Sequence, residues 1–316
     1  MNPRPTLHVG FAKKIIPVPL FVELYGYGPF LGRRNLGVRD PLHCRAMSFR
    51  SGGERVIALV SDLVTMDPDR CWEVRGEIGR RLRMASTNVM VSGTHTHSGP
   101  TVSKGVGWGE LDAGFVEGWK AVAVETAVEA AADESPVTMR LGRAALSQAL
   151  GVNRVEANGP TDPDIRWAAF DGAGGTKLLL HNHGMHGVVF GKEMRLVSAD
   201  WMGEANRLIE ERGLARRAAF LYGAAGQINT APCCKGLEEG APELQRIGRG
   251  YVDDLERGLA GGKAAAATPV AARMERFEVP YEPVSPDELR RDAQRMRDIG
   301  GRQYVIDRME EMALWL

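Results

Sequence analysis

The order of hydrophobic patterns between residues 55 and 132 limits the fold more than any other feature. An apolar run at Arg55 to Leu63 precedes a helical pattern at Asp67 to Met84, a second run at Asn88 to Gly93 and an Ala-rich helical stretch at Phe115 to Ala132. Strands alternating with helices are the rhythm of an α/β protein, with mixed β-sheets flanked by helices. Further strands fit Val137 to Arg143, Ile165 to Phe170, Lys177 to His181, Ala218 to Tyr222 and Arg273 to Pro280. Helices fit Asp200 to Arg212, Pro242 to Gly258, and Pro286 to the end with a break at Gly300 and Gly301.

A chain of 316 residues, 44% apolar, can bury a large core, and residues 1–316 read as a single domain. The weak linker candidates, Gly261 to Thr268 and the loop Pro100 to Asp112, mark no domain boundary. Forty basic and forty acidic residues cancel, and no basic run is interleaved with aromatics, so a nucleic-acid partner has no electrostatic footprint and a small molecule is expected instead. No stretch approaches the roughly 20 apolar residues of a membrane helix, and MNPRPTLHVG lacks a signal-peptide core, so no stable membrane insertion and a cytoplasmic location are expected. Cys44, Cys71, Cys233 and Cys234 resemble neither a disulfide framework nor a metal knuckle and read as reduced, non-catalytic thiols.

Five of the seven histidines fall in two clusters, His95 with His97 and His181 with His183 and His186, each where a strand pattern gives way to glycine. Strand residues i and i+2 share a face, so His95 and His97 aim two imidazoles at one point if extended geometry reaches that far. One such pair serves hydrogen bonding as readily as a metal. Five imidazoles at loop-facing strand ends are harder to explain as packing, and neutral imidazole is the commonest protein ligand for a transition metal. Zinc, or another divalent ion, held by two or three side chains keeps a position for water and lowers its pKa to about 7. The residues alone point to metal-assisted hydrolysis.

The segments HVGFAKKIIPVP, LYGYG, GVRDPLHCRAMSF, VIALVSDLVTMD, NVMVSGTHTHSGP, GVNR, NHGMHGVVFGKEMRLVSADWMG and YGAAGQINTAP follow one another in that order. The series resembles the N-terminal catalytic domain of the neutral/alkaline (non-lysosomal) ceramidase family, and especially its shorter bacterial members, through most of residues 8 to 232. The resemblance implies a ceramidase-like α/β catalytic domain with zinc ligands at His95 and His186, completed by a glutamate and a tyrosine from further along the chain. It implies that His97 assists proton movement, binds a substrate oxygen or makes a structural hydrogen bond. Arg154 matches an active-site arginine whose guanidinium could steady an oxyanion, or it makes a surface ion pair. Asp62 and Asp200 are placed to accept the free N–H of a ligand histidine, although Asp200 also suits a helix cap. Asn182 falls on the family's asparagine; His183 reads as a local specialisation near the metal and His181 as a strand residue. The glycine-rich loop at residues 104 to 115 is a lid whose Trp108 touches substrate, or a mobile surface loop.

Two departures from the family pattern bear on mechanism. Where ceramidases carry a serine in a Gly-Asp-x-Ser-Pro-Asn element, Asn229 stands in Gly226-Gln227-Ile228-Asn229-Thr230-Ala231. An amide cannot act as that nucleophile but can donate to an oxyanion or hold the attacking water, which favours water on the metal as nucleophile. Thr230 and Ser98 are weaker substitutes and suit turns. The chain also contains no Pro-Gly-Glu, so the family's glutamate and tyrosine ligands would lie beyond residue 316. Either a missing C-terminal segment or second chain completes the site, as the apolar ending MEEMALWL suggests, or His183, His97 or Asp200 replaces those ligands. The expected function is a zinc-dependent hydrolase of an amide or related acyl bond in a small soluble molecule. The alternatives are a non-catalytic or split subunit, a true ceramidase, and a metal-dependent isomerase or lyase.

Overall fold

The computed structural model describes residues 6–28, 32–105, 108–280, 283–301 and 303–315. Its strands are β1 (Leu7–Ile15), β2 (Gly37–Val38), β3 (His43–Ser51), β4 (Glu54–Ser61), β5 (Val89–Gly93), β6 (Ser135–Ala145), β7 (Gly151–Asn153), β8 (Asp164–Gly172), β9 (Gly175–His183), β10 (Leu196–Val197), β11 (Ala218–Tyr222), β12 (Ile228–Thr230) and β13 (Lys263–Ala265). The helices are α1 (Pro68–Leu82), α2 (Ala113–Ala132), α3 (Asp200–Glu211), α4 (Leu237–Leu259), α5 (Pro286–Asp298) and α6 (Gln303–Trp315).

The large sheet runs β11-β9-β8-β6-β1-β3-β4-β5, with β13 added beside β6. The β4–β5 and β9–β11 pairs are parallel and the remaining neighbours antiparallel, so the α/β reading with a mixed sheet flanked by helices is correct. Strand β1 meets β6 through only Leu7, Val9 and the residue between them, and at that narrow seam the sheet folds over on itself. Met47, Ala58 and Val60 from one half then share a core with Phe170, Leu178 and Ala219 from the other, and the rings of Phe49 and Phe170 lie 5.4 Å apart. On the outer side of β3 and β4, Ala46, Ile57 and Leu59 pack with Val74 and Ile78 of α1 and Trp119 and Ala123 of α2. On the outer side of β8 and β9, Trp167, Ala169 and Leu179 pack with Trp201 of α3 and Tyr251 and Leu255 of α4. Side chains two residues apart thus serve one core and their neighbours another, as strand geometry requires.

Helix starts follow capping chemistry. Asp67 accepts the N–H groups of Asp69 and Arg70 ahead of Pro68, and Asp112 accepts that of Phe115. The chain divides into two compact units, one of residues 1–27 and 31–273 with the sheet and α1 to α4, the other of residues 28–30 and 274–316 with α5 and α6. In the second unit, Ser285 and Glu288 form a capping box, and the break at Gly300 and Gly301 falls between the two helices. The apolar ending lies in α6 apart from Leu316, which is outside the described residues.

Arg273 to Pro280 is not a strand: it has no regular structure, and Phe277 and Val279 are exposed. The supposed linker Gly261 to Thr268 contains β13, paired with β6. Strands β1 and β3 escaped the pattern reading. Arg45, Ser48 and Ser51 of β3 are buried, which erases the polar–apolar alternation, and Gly10 and the lysines interrupt β1. Among the described residues no helix is long and apolar enough to cross a membrane.

Candidate metal centre

His95 and His97 follow the end of β5, but their convergence is not a product of strand alternation. The strand stops at Gly93, and His95 has φ of 69°, in the left-handed region. Its amide donates to Leu63 O, its ring Nδ1 meets Val64 O at 2.7 Å, and the His97 amide donates to Gly187 O. The Thr96 hydroxyl donates to Ser198 O. The bonds to Leu63, Val64 and Ser198 tie the segment to the residues following β4 and β10, and the bond to Gly187 O ties it to those following β9. There the His186 amide donates to Ile228 O, and its ring Nδ1 lies 2.8 Å from Ala225 O and 3.2 Å from Ile228 O. Two glycines permit the close approach. A Cβ on Gly187 would come within 3.0 Å of His95 O, and one on Gly26, at φ +113°, within 2.6 Å of the His97 ring.

The result is a cluster of three imidazoles. Ring centroids lie 4.8 Å apart for His95 and His97, 4.9 Å for His95 and His186, and 5.5 Å for His97 and His186. One nitrogen from each lies within 4.8 Å of the other two. A carbonyl can only accept, so Nδ1 of His95 and of His186 must carry the proton and Nε2 the lone pair. His97 Nε2 lies 3.2 Å from His95 Nε2, close to the roughly 3.3 Å edge of a tetrahedron with zinc–nitrogen bonds of about 2.0–2.1 Å. Burial lowers all three pKa values, aided by Arg154; His186 falls to about 4, and His97 is lowered further by its two neighbours. Neutral imidazole is the ligating form, and the donor set fits a divalent transition metal such as zinc. His97, expected behind the ligands, is thereby placed to join them.

The carboxylates expected behind the ligand rings are engaged elsewhere, and backbone carbonyls take their place. Asp62 is buried and accepts from Arg45 Nη1 and the His43 amide. Asp200 accepts from the amides of Val189, Phe190 and Trp201, and the cap position before α3 belongs to Ala199. Burial, reinforced by Asp40, pushes the Asp200 carboxyl up to about 7 against those bonds. His183 turns Nδ1 to Asp164 O with Asp162 beside it, His181 bonds Tyr251 and Asn206, and Asn182 donates to Leu221 O; none belongs to the imidazole cluster.

Arg154 leaves the end of β7, its Nε donates to Gly226 O, and its charge acts on His95, His97, His186 and Tyr222. Asn229, on β12 opposite Val152, turns its Nδ2 toward Cys233 Sγ at 3.8 Å, and its buried Oδ1 has no partner among the described residues. Trp108 packs 5.7 Å from the ring of Tyr25. Val106 and Gly107 of the proposed lid lie outside the described residues.

Sequence reasoning missed three groups. The Tyr222 ring, at the end of β11, lies 4.7 Å from that of His95, and its buried hydroxyl has no partner among the described residues. Tyr27 presents its ring edge to His97 at 5.1 Å. Arg33, 6% exposed, donates Nη2 to His97 O at 2.6 Å and lies over the Tyr27 ring, while burial lowers its pKa to about 10. The strand-end tyrosine and the glycine-flanked LYGYG were visible as text, but contacts across such long separations were not.

The chain is similar in fold to two solved structures. One is a ceramidase complexed with C2, at TM-score 0.72 and 19% identity over 81% of this chain and 44% of that one. The other is the neutral ceramidase from Pseudomonas aeruginosa, at TM-score 0.69 and 19% identity over 81% of this chain and 45% of that one. The fold is ceramidase-like, and the chain spans less than half the length of either structure. No protein-family model matches the sequence, and neither does any curated protein.

Proposed function

We propose that this chain is a metal-dependent hydrolase that cleaves an amide, or a related acyl bond, in a small molecule, with His95, His97 and His186 holding zinc or a similar divalent cation. The observation that carries the reading is the meeting of three imidazole nitrogens within 4.8 Å, with the second nitrogen of two of those rings committed to backbone carbonyls. A bound divalent ion would supply a Lewis acid for the carbonyl oxygen and a more nucleophilic water. The chain's own groups complement that chemistry. Arg154, at the exposed rim, brings a positive charge toward the oxygen that becomes anionic as a carbonyl is attacked. Tyr222, kept protonated by burial, has a free hydroxyl to donate to a substrate oxygen or nitrogen.

The fold neighbours are ceramidases, which favours acyl-amide bonds over other carbonyl chemistry. Asn229 at the position of the family's serine favours a soluble amide over ceramide itself. The test is zinc analysis of the purified chain, together with hydrolysis of short N-acyl amides and of a labelled long-chain ceramide in oxygen-18 water. Stoichiometric zinc and labelled acid from the short amides support the reading. Release of labelled acid from ceramide alone would make the chain a true ceramidase, and substoichiometric zinc after reconstitution would sink the metal assignment.

A further inference from the structure

We propose that Cys233 is a second catalytic group of this site, a nucleophile that takes the acyl part of the substrate as a thioester before water removes it. The inference rests on reading the site as an acyl-transfer centre. Three structural ties connect this thiol to the imidazole cluster. Asn229 directs its amide to Cys233 Sγ, and the preceding residue, Ile228, gives its carbonyl to the His186 ring. The amides of Cys234 and Lys235 donate to Val188 O and Val189 O, which straps the cysteine pair to the segment that starts two residues after His186. The Cys234 thiol adjoins the hydroxyl of Tyr27, whose ring edge meets His97.

The thiol is also prepared for attack. Cys233 is half-buried, so it is open to a ligand yet sheltered from bulk water. The Cys234 thiol donates to its sulfur, and this bond, with the Asn229 amide, Lys235 and Arg154, outweighs burial and brings the Cys233 thiol below its ordinary pKa, while Cys234 is pushed up. A thiolate held by hydrogen-bond donors is the reactive form of cysteine. Cys44 and Cys71 are buried, and burial raises both of their pKa values.

The chemistry balances with one water. The thiolate attacks the acyl carbon, a C–S bond forms and the C–N bond breaks, and the departing nitrogen takes a proton from water. The remaining hydroxide adds to the thioester carbon, the C–S bond breaks, and the acid leaves with the thiolate restored.

The test uses the full chain with zinc, p-nitrophenyl acetate for rapid mixing and N-acetyl-p-nitroanilide for steady state. The wild type should release a burst of about one equivalent of nitrophenol per chain, with the acetyl group mapped by mass spectrometry to Cys233. Cys233→Ala should abolish the burst and lower anilide turnover more than about tenfold with zinc content unchanged, whereas Cys71→Ala, at a buried thiol of α1, should keep the burst. Should Cys233→Ala fail to fold, Cys233→Ser takes its place with the same expected losses. An absent burst in the wild type, an undiminished burst in the Cys233 variant, acetylation of another residue, or a smaller loss of turnover would overturn the proposal. Failure of the metal reading shows separately, as equal zinc content in the wild type and His186→Ala; the site of acetylation is read whatever that result.

Discussion

Adding one methyl group at Gly187 tests how the imidazoles are brought together. A Cβ there would lie 2.5 Å from Met202 Cε, 3.0 Å from His95 O and 3.1 Å from Thr96 Cα. The thioether end can swing away, but the other two contacts are with backbone. Relief requires moving the His95–His97 segment away from His186 by about 0.3–0.5 Å, more than the roughly 0.2 Å that metal–ligand bonds tolerate. Overpacking of this kind costs about 1–3 kcal/mol, and displacing the ligands should weaken zinc binding about 10- to 100-fold, the scale seen when ligand orientation is disturbed. Competition against a chromophoric chelator measures the affinity, and thermal unfolding of the metal-free chain measures the stability. Gly118→Ala is the control, because a Cβ on that α2 residue meets nothing within 4 Å. Zinc affinity in Gly187→Ala within about threefold of the wild type, with Tm lowered as expected, would refute the claim that this glycine sets the ring separation.

Three further outcomes are expected. His186→Ala leaves two imidazoles and should reduce bound zinc well below one per chain by elemental analysis; retention of full stoichiometry would remove His186 from the ligand set. Glu134 is pushed up by burial, but hydrogen bonds from Arg55, Ser48 and Arg50 outweigh this and bring its pKa down to about 2. That contribution is present above the unfolded value near 4.3 and is lost as pH falls toward 2, so Glu134→Gln should cost about 1–2 kcal/mol at pH 7 and much less at pH 3 in urea titrations, allowing for screening. Asp200 has the opposite sign. Its folded pKa of about 7 exceeds the unfolded value near 3.9, so stability falls as pH rises between them, and Asp200→Asn should flatten that fall by at most about 4 kcal/mol. Parallel pH profiles for the two proteins would count against the buried proton.

The chain order of β4, α1, β5 and α2 was legible because strand-like apolar runs alternate there with helical patterns. Strand β3 was not, because Asp62 satisfies its buried Arg45 from outside the strand, and a local pattern does not register such distant compensation. Residue type and clustering marked five histidines, and the resemblance picked out His95 and His186 among them; their ring centroids lie 4.9 Å apart. The reason given for His95 and His97 failed: a left-handed residue after the strand, rather than alternation along it, aims the rings. Asp62 and Asp200 were drawn toward the ligands by chemical type and by their place at element ends, whereas the groups holding His95 and His186 are carbonyls, present at every position and invisible in composition. Tyr222 and Arg33 depend on the folding over of the sheet and on a loop's path, which no local pattern encodes.

Orientation by carbonyls has a consequence for turnover. The rings that form the cluster are uncharged, and the charged side chains acting on it are Arg33 and Arg154. A dication gathered there would meet imidazoles alone among the described residues of the cluster. Of the two halves of a severed amide, the carboxylic acid is the one such a centre would grip longer, so departure of the anionic product, rather than bond cleavage, would set the pace of the cycle.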